Sequence, residues 1–242
     1  MATLARFSTA RLKPRPVEPE LRFRRKSESI RLFMNRQKLR IRFRKEGDLR
    51  LISHRDLART LERLFRRAAL PLAMSEGFHP HPRVTFPAAL GVGIEGMNEV
   101  IEVLLDEAQD PEDVRQRLLE NSPPGLVITD VTELDALAKK ARVESVTYEI
   151  PIPAERREAL KGAIDELLQK RSYPWQREGR AKPIDLRLSI EDMQLVEDRL
   201  QIRLWVSQQA SARPREILQV LGVDDLEYQG CTIQRTEVNL TS

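Results

Sequence analysis

The chain has 242 residues, of which 32% are charged and 5% are aromatic, and its formal net charge at pH 7 is +4. This length is sufficient for one large domain or two small domains with an ordinary core, and no apolar run of membrane-spanning length or secretory signal pattern is seen. The one cysteine, Cys231, excludes an intramolecular disulfide, a self-contained iron–sulfur cluster and a cysteine zinc site, so a reducing cytoplasm is expected.

Basic residues are concentrated at the N-terminal end. Residues 1–45 contain 15 Lys or Arg and 3 Asp or Glu, whereas the remainder contains 26 Lys or Arg and 34 Asp or Glu. This asymmetry favours a polyanionic partner contacted from one side, although a solvated basic tail has the same composition. Residues 1–37 have no sustained apolar period, which predicts a disordered basic arm; an organelle transit peptide and a start at Met34 are alternatives.

The first half of the chain has a clear strand and a clear helix. Residues 38–45 alternate apolar and basic side chains, which predicts a strand with one basic face. Ser53, followed three residues later by Asp56, marks the start of a helix. One side of this helix is an apolar stripe, and the opposite side is a row of guanidinium groups that suits phosphate contact, although a solvated helix face is the alternative. The basic residues on the strand and helix are Arg40, Arg42, Arg44, Arg55, Arg59, Arg63 and Arg66.

The remaining pattern predicts an α+β fold with two tandem ferredoxin-like modules. In the first module, further strands are predicted at 84–90, 98–106 and 126–134, and a helix at 111–121. In the second module, strands are predicted at 146–152, 184–190, 200–206 and 231–238, and helices at 154–170 and 214–221. Each set has the order βαββαβ, which is the ferredoxin-like split unit. The modules are assigned to residues 38–135 and 146–242, with a linker at 135–145.

Residues 75–83, SEGFHPHPR, form the most distinctive segment of the chain. Pro80 and Pro82 fix their own φ and keep the preceding histidines, His79 and His81, out of the helical region. Gly77 permits a turn. Three side chains are then left to contact a partner: Phe78, His81 and Arg83. A rigid connection between strands is the alternative interpretation.

Three runs in the first half carry a family resemblance: LISHRDL at 51–57, SEGFHPHP at 75–82 and FPAALGVG at 86–93. Together they resemble the radical-SAM-linked protein family, a bacterial domain of unknown function that occurs alone or fused behind a radical SAM enzyme. The resemblance is specific across 38–106, looser near 182–187 and 211–214, and absent from 1–37. The aligned motif residues are Ser53, His54, Asp56, Gly77, Phe78, Pro80 and Pro82; the family usually has Asn where His79 stands, so His81 is the histidine carried over. The resemblance implies an association with nucleic-acid modification, with tRNA as the expected substrate.

Four chemistries are compatible with these residues. A metal site would use His81 with His79 or His54 and a carboxylate, but this spacing is not diagnostic and no metal is expected. His81 or His54 would serve as acid–base catalyst in a metal-independent RNA-processing enzyme. An RNA-binding module requires only the basic residues and Phe78 for base stacking, with Trp175 as a second stacking candidate. The fourth is a protein-docking adaptor for a radical SAM enzyme without RNA contact.

The expected function is therefore an RNA-binding, tRNA-directed accessory protein that works with a radical SAM enzyme or with RNA-processing machinery. No cofactor is expected on this chain, since the cluster-binding cysteines belong to the partner enzyme, which would carry the iron–sulfur cluster and S-adenosylmethionine. No membrane contact is expected.

Overall fold

The computed structural model of the protein describes residues 36–135, 138–179, 181–207 and 211–241. The predicted basic arm therefore lies outside the described residues, except for its last two positions. The described chain alternates helices with the strands of one eight-stranded sheet, and a separate two-stranded sheet lies in the second half. The expected α+β class is confirmed.

The first half begins at the N-terminal edge of the described chain and contains four strands and two α-helices. In chain order these are β1 (Gln37–Lys45), a 3-10 turn (Gly47–Leu51), α1 (His54–Arg67), β2 (Val84–Thr85), β3 (Glu95–Leu105), α2 (Pro111–Asn121) and β4 (Leu126–Leu134). The Ser53 hydroxyl accepts a hydrogen bond from the Asp56 N–H and so caps α1, as its sequence predicts. Asp110 caps α2, and the proline that follows it occupies the first helical position.

The second half contains six strands and three α-helices. In chain order these are β5 (Arg142–Pro151), a 3-10 turn (Ala154–Arg156), α3 (Arg157–Gln169), β6 (Pro174–Trp175), β7 (Ile184–Asp185), α4 (Leu186–Ser189), β8 (Ile190–Val196), β9 (Arg199–Trp205), α5 (Pro214–Val220), a 3-10 turn (Asp224–Glu227) and β10 (Gln234–Thr241). Strands β6 and β7 form the small sheet. Within the described residues, no helix is long and apolar enough to cross a membrane.

The large sheet runs without interruption through both halves. Its strand order is β4–β1–β3–β10–β5–β9–β8, with β2 paired to β3 off this path. Neighbouring strands are antiparallel except β3 and β10, which meet in a short parallel pairing at Glu95 and Gly96. The first half has the element order of a βαββαβ unit, and the second half has the same order once the small sheet of β6 and β7 and the short α4 are set aside. The division into two ferredoxin-like modules stays an interpretation of this one sheet.

Most predicted elements agree with the structure to within a few residues, but three differ more strongly. The strand predicted at 84–90 is only two residues long, because the chain leaves β3 after Thr85 and runs toward the second half. The strand predicted at 184–190 is instead a short strand, a helical turn and the first residue of β8. The predicted linker 135–145 overlaps β5, which begins at Arg142.

The core of the first half decides where the basic side chains lie. The apolar stripe of α1 packs with the residues of β1 that alternate with its arginines, Leu39, Ile41 and Phe43. Because successive side chains of a strand point to opposite faces, Arg40, Arg42 and Arg44 lie on the face of the sheet away from α1. The two predicted basic rows are therefore on opposite sides of the first half.

Candidate nucleic-acid interface

The segment 75–83 is a loop whose two ends are fastened to β3 by backbone hydrogen bonds. The Ala73 N–H donates to the Leu104 carbonyl at 2.8 Å, and the Leu104 N–H donates to the Arg83 carbonyl at 3.1 Å. Across the base of the loop, the Ser75 N–H donates to the His81 carbonyl and the Ser75 hydroxyl accepts from the His81 N–H, at 2.8 and 2.9 Å. The base of the loop is thus a rigid extension of the sheet.

The tip of this loop projects into solvent. Residues 76–81 are all exposed, and the Phe78 side chain is 102% exposed. Gly77 has φ of +122°, a conformation that L side chains rarely adopt, so glycine is needed for the turn before Phe78. This aromatic side chain, on a turn with a fixed base, is therefore fully accessible to solvent.

A cleft of about 490 Å³ lies beside the loop, on the face of the sheet away from α1. We call it the loop cleft; its charged or titratable lining residues are Lys38, His81, Arg83, Glu102 and Lys140. The loop therefore brings His81 and Arg83 next to the first basic residue of β1. In the described part of the chain, the exposed Arg83 and Lys140 side chains make no ion pair.

Glu102 is the one acidic residue lining the loop cleft, and its charge is already compensated. Its carboxylate contacts the Lys38 ammonium and the Arg40 guanidinium, both at 2.8 Å, and only 1% of its side chain is exposed. Burial raises its pKa, but the hydrogen bonds from the two cations outweigh this effect and lower the pKa overall. With Glu102 ionised between two cations, the positive charge of Arg83 and Lys140 gives the loop cleft an excess of positive charge.

The other arginines of β1 are also held by neighbours. Arg42 donates to the Asn98 side-chain oxygen at 2.9 Å, and Arg44 lies 3.8 Å from the Glu46 carboxylate. Strand β4 places Asp130 opposite Arg42. Arg40, through its contact with Glu102, is the β1 arginine that adjoins the loop cleft.

The arginine row of α1 is exposed on the opposite side of the sheet. Arg59 pairs with Asp56 at 3.3 Å along the helix, whereas Arg63 and Arg66 make no ion pair within the described residues. This row is as solvent-accessible as its sequence predicts, but it does not share a surface with His81 and Arg83.

The structure separates the two candidate catalytic histidines. His54 is the first residue of α1 and its ring meets the Phe86 ring edge-on, with centroids 5.0 Å apart. Its Nδ1 is buried and has no hydrogen-bond partner among the residues that the structure describes. His81 lies in the exposed loop. Among the described residues, no group of three or more His, Cys, Asp or Glu side chains has a geometry that suits a metal ion.

His54 lies near a buried ion cluster formed by Lys45, Glu99 and Arg235, three residues that are each at most 3% exposed. Arg235 binds the Glu99 carboxylate through two hydrogen bonds of 2.7 and 2.5 Å and donates to the Ala89 carbonyl at 2.9 Å. Burial lowers the pKa of His54, and the positive charges of Arg235 and Lys45 add to this effect while Glu99 opposes it. The neutral form of His54 is therefore favoured.

A family comparison extends over both halves. A family model described as "Uncharacterized protein conserved in bacteria (DUF2344)" matches residues 38–215. The chain belongs to this family. The matched region of this DUF2344 protein runs from β1 into α5 and contains the loop and the loop cleft. No curated protein matches the chain.

The sequence interpretation missed the ion cluster of this DUF2344 protein, although a signal was present. Lys45 continues the alternation of Leu39, Ile41 and Phe43, so the strand period places its ammonium on the buried face. Glu99 likewise precedes a run of strand residues that are nearly all apolar. An ionisable residue in the buried phase of a strand indicates a paired charge, because an unpaired one would be too costly.

Proposed function

We propose that this DUF2344 protein is an RNA-binding accessory protein directed to structured, tRNA-like RNA, and that it acts in the cytoplasm. The observation that carries this proposal is the pairing of a fully exposed Phe78 with the positively charged loop cleft on one rigid loop. Aromatic stacking and cation–phosphate contact are the two interactions that single-stranded parts of RNA offer to a protein surface.

The loop cleft would hold the RNA backbone. Arg83 and Lys140 have no acidic partner among the described residues, so contact with a phosphate would give each of them a counter-charge. The His81 side chain, at the rim of the same cleft, offers a further donor. Arg40 and Lys38 are already paired with Glu102 and would contribute to the local potential more than to direct contact.

Phe78 would stack on an unpaired base. Its ring is held away from the protein by Gly77, Pro80 and Pro82, so little entropy is lost when the loop engages a partner. Stacking of a base on an aromatic side chain contributes about 1–3 kcal/mol and tolerates any base. Structured RNAs with unpaired loops or ends therefore fit this surface better than a regular duplex.

A radical SAM enzyme is the proposed protein partner. The support is the resemblance of the motifs at 51–57, 75–82 and 86–93 to radical-SAM-linked proteins. In such an assembly the partner supplies the iron–sulfur cluster and S-adenosylmethionine, and the present chain supplies the RNA contact. A docking role without RNA contact is an outcome that the following experiment separates.

The test compares two double variants that remove the same charge from opposite faces of the sheet. Arg83→Gln with Lys140→Gln removes two cations of the loop cleft, and Arg63→Gln with Arg66→Gln removes two cations of α1; none of the four makes an ion pair with a described residue. Affinity for a tRNA transcript is measured over a range of salt concentrations. The loop-cleft variant should bind more weakly, and the slope of log K against log salt should fall by about 1.4–1.8, because each lost phosphate contact removes about 0.7–0.9.

The α1 variant is the matched control for charge. If the α1 variant loses affinity and the loop-cleft variant does not, the RNA interface is the arginine row and not the loop. If the wild-type protein shows no salt-dependent RNA binding but recovers a radical SAM enzyme from a lysate, the RNA-binding function is wrong and the docking role replaces it.

A further inference from the structure

A second pocket lies where the two halves of the chain meet. It has a volume of about 490 Å³, a size typical of small-ligand sites, and lies between the segment that follows β2 and the beginning of α5. We call it the junction pocket; its lining residues are Ala89, Leu90, Gly91, Ile94, Tyr148, Ala212, Arg213, Pro214, Arg215 and Glu216.

The walls of the junction pocket are mainly apolar and come from both halves. Leu90 and Ile94 belong to the first half, and Ala212 belongs to the second; all three are otherwise buried in the same core. Tyr148 of β5 adds an aromatic side chain, and it interacts with Arg235 of the ion cluster. These walls offer flat apolar surface to a planar group.

The charges around the junction pocket leave one cation without a strong partner. Glu216 is bound by Arg177, with Nη2–Oε2 at 2.7 Å. Arg215 is bound by Glu227 at 2.6 and 2.8 Å and also donates to the Val92 carbonyl. The exposed side chain of Arg213 makes no hydrogen bond within the described residues. Burial raises the pKa of Glu216, whereas the hydrogen bonds from Arg177 and from the Arg213 backbone N–H lower it, and the positive charge of Arg213 makes a smaller contribution in the same direction.

We infer that the junction pocket binds a nucleotide, with the base against the apolar walls and a phosphate on Arg213. A nucleotide combines a planar, largely apolar base with an anionic group, which is the combination that the pocket complements. The inference rests on the proposed RNA-binding function, because the nucleotide would be an unpaired nucleotide of the bound RNA. A free mononucleotide carries the same chemistry, and the experiment separates the two sources.

Two variants test the inference. Arg213→Gln removes the exposed cation, and Ala89→Trp fills the pocket from an exposed position on its wall. Arg171→Gln is the matched control, since Arg171 is an exposed arginine of the same half that does not line the pocket. Binding of AMP, GMP, CMP and UMP is measured by calorimetry, and a tRNA transcript containing 4-thiouridine is photo-crosslinked and the modified peptides are identified.

The expected result is a crosslink within residues 89–94 or 212–216 that both pocket variants reduce. Loss of the Arg213 contact should weaken binding about tenfold or more, since a hydrogen bond to a charged group contributes that much affinity. The Arg171→Gln variant should retain wild-type binding.

The outcomes separate this inference from the proposed function. If mononucleotides bind, both pocket variants reduce that binding, and the protein does not bind tRNA, then the junction pocket is a nucleotide site but RNA is not the source of the nucleotide. If neither variant changes RNA binding, crosslinks occur only outside the pocket and mononucleotides do not bind, then the junction pocket is not a nucleotide site. The loop cleft then remains the proposed RNA interface.

Discussion

Replacing Glu99 by Gln removes the only negative charge of the ion cluster and should strongly destabilise the protein. Glu99 is 3% exposed and Arg235 is 2% exposed, and their two hydrogen bonds are short and direct. Without the carboxylate, Arg235 and the fully buried Lys45 are two cations with no counter-charge between them. Removal of one partner from a buried ion pair costs about 3–5 kcal/mol.

This cost is large enough to measure by two methods. A loss of 1 kcal/mol lowers the melting temperature of a protein of about 150–250 residues by about 2–4 °C, so Glu99→Gln should lower it by about 6–20 °C. Urea unfolding followed by circular dichroism gives the free energy directly. Glu133→Gln, on an exposed position of β4, is the control and should remain within about 0.5 kcal/mol of the wild type.

A third variant tests the physical reason for the loss. Burial lowers the pKa of Lys45, with Glu99 opposing the effect, so Lys45 is costly to keep charged once Glu99 is neutral. Adding Lys45→Met to Glu99→Gln should therefore recover part of the lost stability. If Glu99→Gln unfolds with wild-type free energy, or if Lys45→Met makes the double variant still less stable, the electrostatic account of this cluster is wrong.

Three further predictions concern single side chains. Phe78→Ala should weaken RNA binding by about 1–3 kcal/mol with an unchanged melting temperature, because in the proposed complex the ring stacks on a base and among the described residues it is fully exposed; equal affinity would contradict this. His81→Ala should change the free energy of unfolding by no more than about 0.5 kcal/mol, since the side chain is exposed, while RNA affinity decreases; a large loss of stability with normal affinity would make the loop a structural connection. Burial lowers the pKa of His54 in the folded state, so the unfolded chain binds a proton there first, and wild-type stability should decrease as the pH falls below about 6.5, the pKa of an unperturbed histidine. Urea unfolding at a series of pH values should show a smaller decrease for His54→Gln than for the wild type. An unchanged pH profile would refute the assignment of this decrease to His54.

The sequence predicts local elements well where capping and periodicity agree. The bounds of α2 and β4 match the prediction residue for residue, because Pro111 follows the capping Asp110 and the strand is bounded by turn residues. Predictions fail where tertiary contacts determine the conformation. After Thr85 the chain still has strand-like composition, but Leu90 packs into the core of the second half and leaves no partner strand for this segment.

The candidate site was predictable in its loop and not in its surroundings. The two prolines and Gly77 indicate an extended, exposed segment, and the structure places it so. Nothing in the local sequence indicates that Lys38 and Lys140, far from the loop along the chain, line the same cleft. For Lys38 that proximity follows from the pairing of β1 and β2 with the two edges of β3, which is a non-local contact.

Strand β3 connects the three charged features and explains why they remain distinct. Glu99 and Glu102 are three residues apart, so the strand period directs their side chains to opposite faces of the sheet. Glu99 neutralises the buried cluster next to His54 at the start of α1, and Glu102 neutralises Lys38 and Arg40 on the other face. Glu99 and Glu102 of β3 thus compensate cations that lie on the sheet, whereas the exposed Arg83 on the loop has no acidic partner among the described residues. The positive charge available in the loop cleft therefore comes from Arg83, in the connection after α1, and from Lys140, so the proposed recognition surface is centred on the loop and not on the arginines of β1.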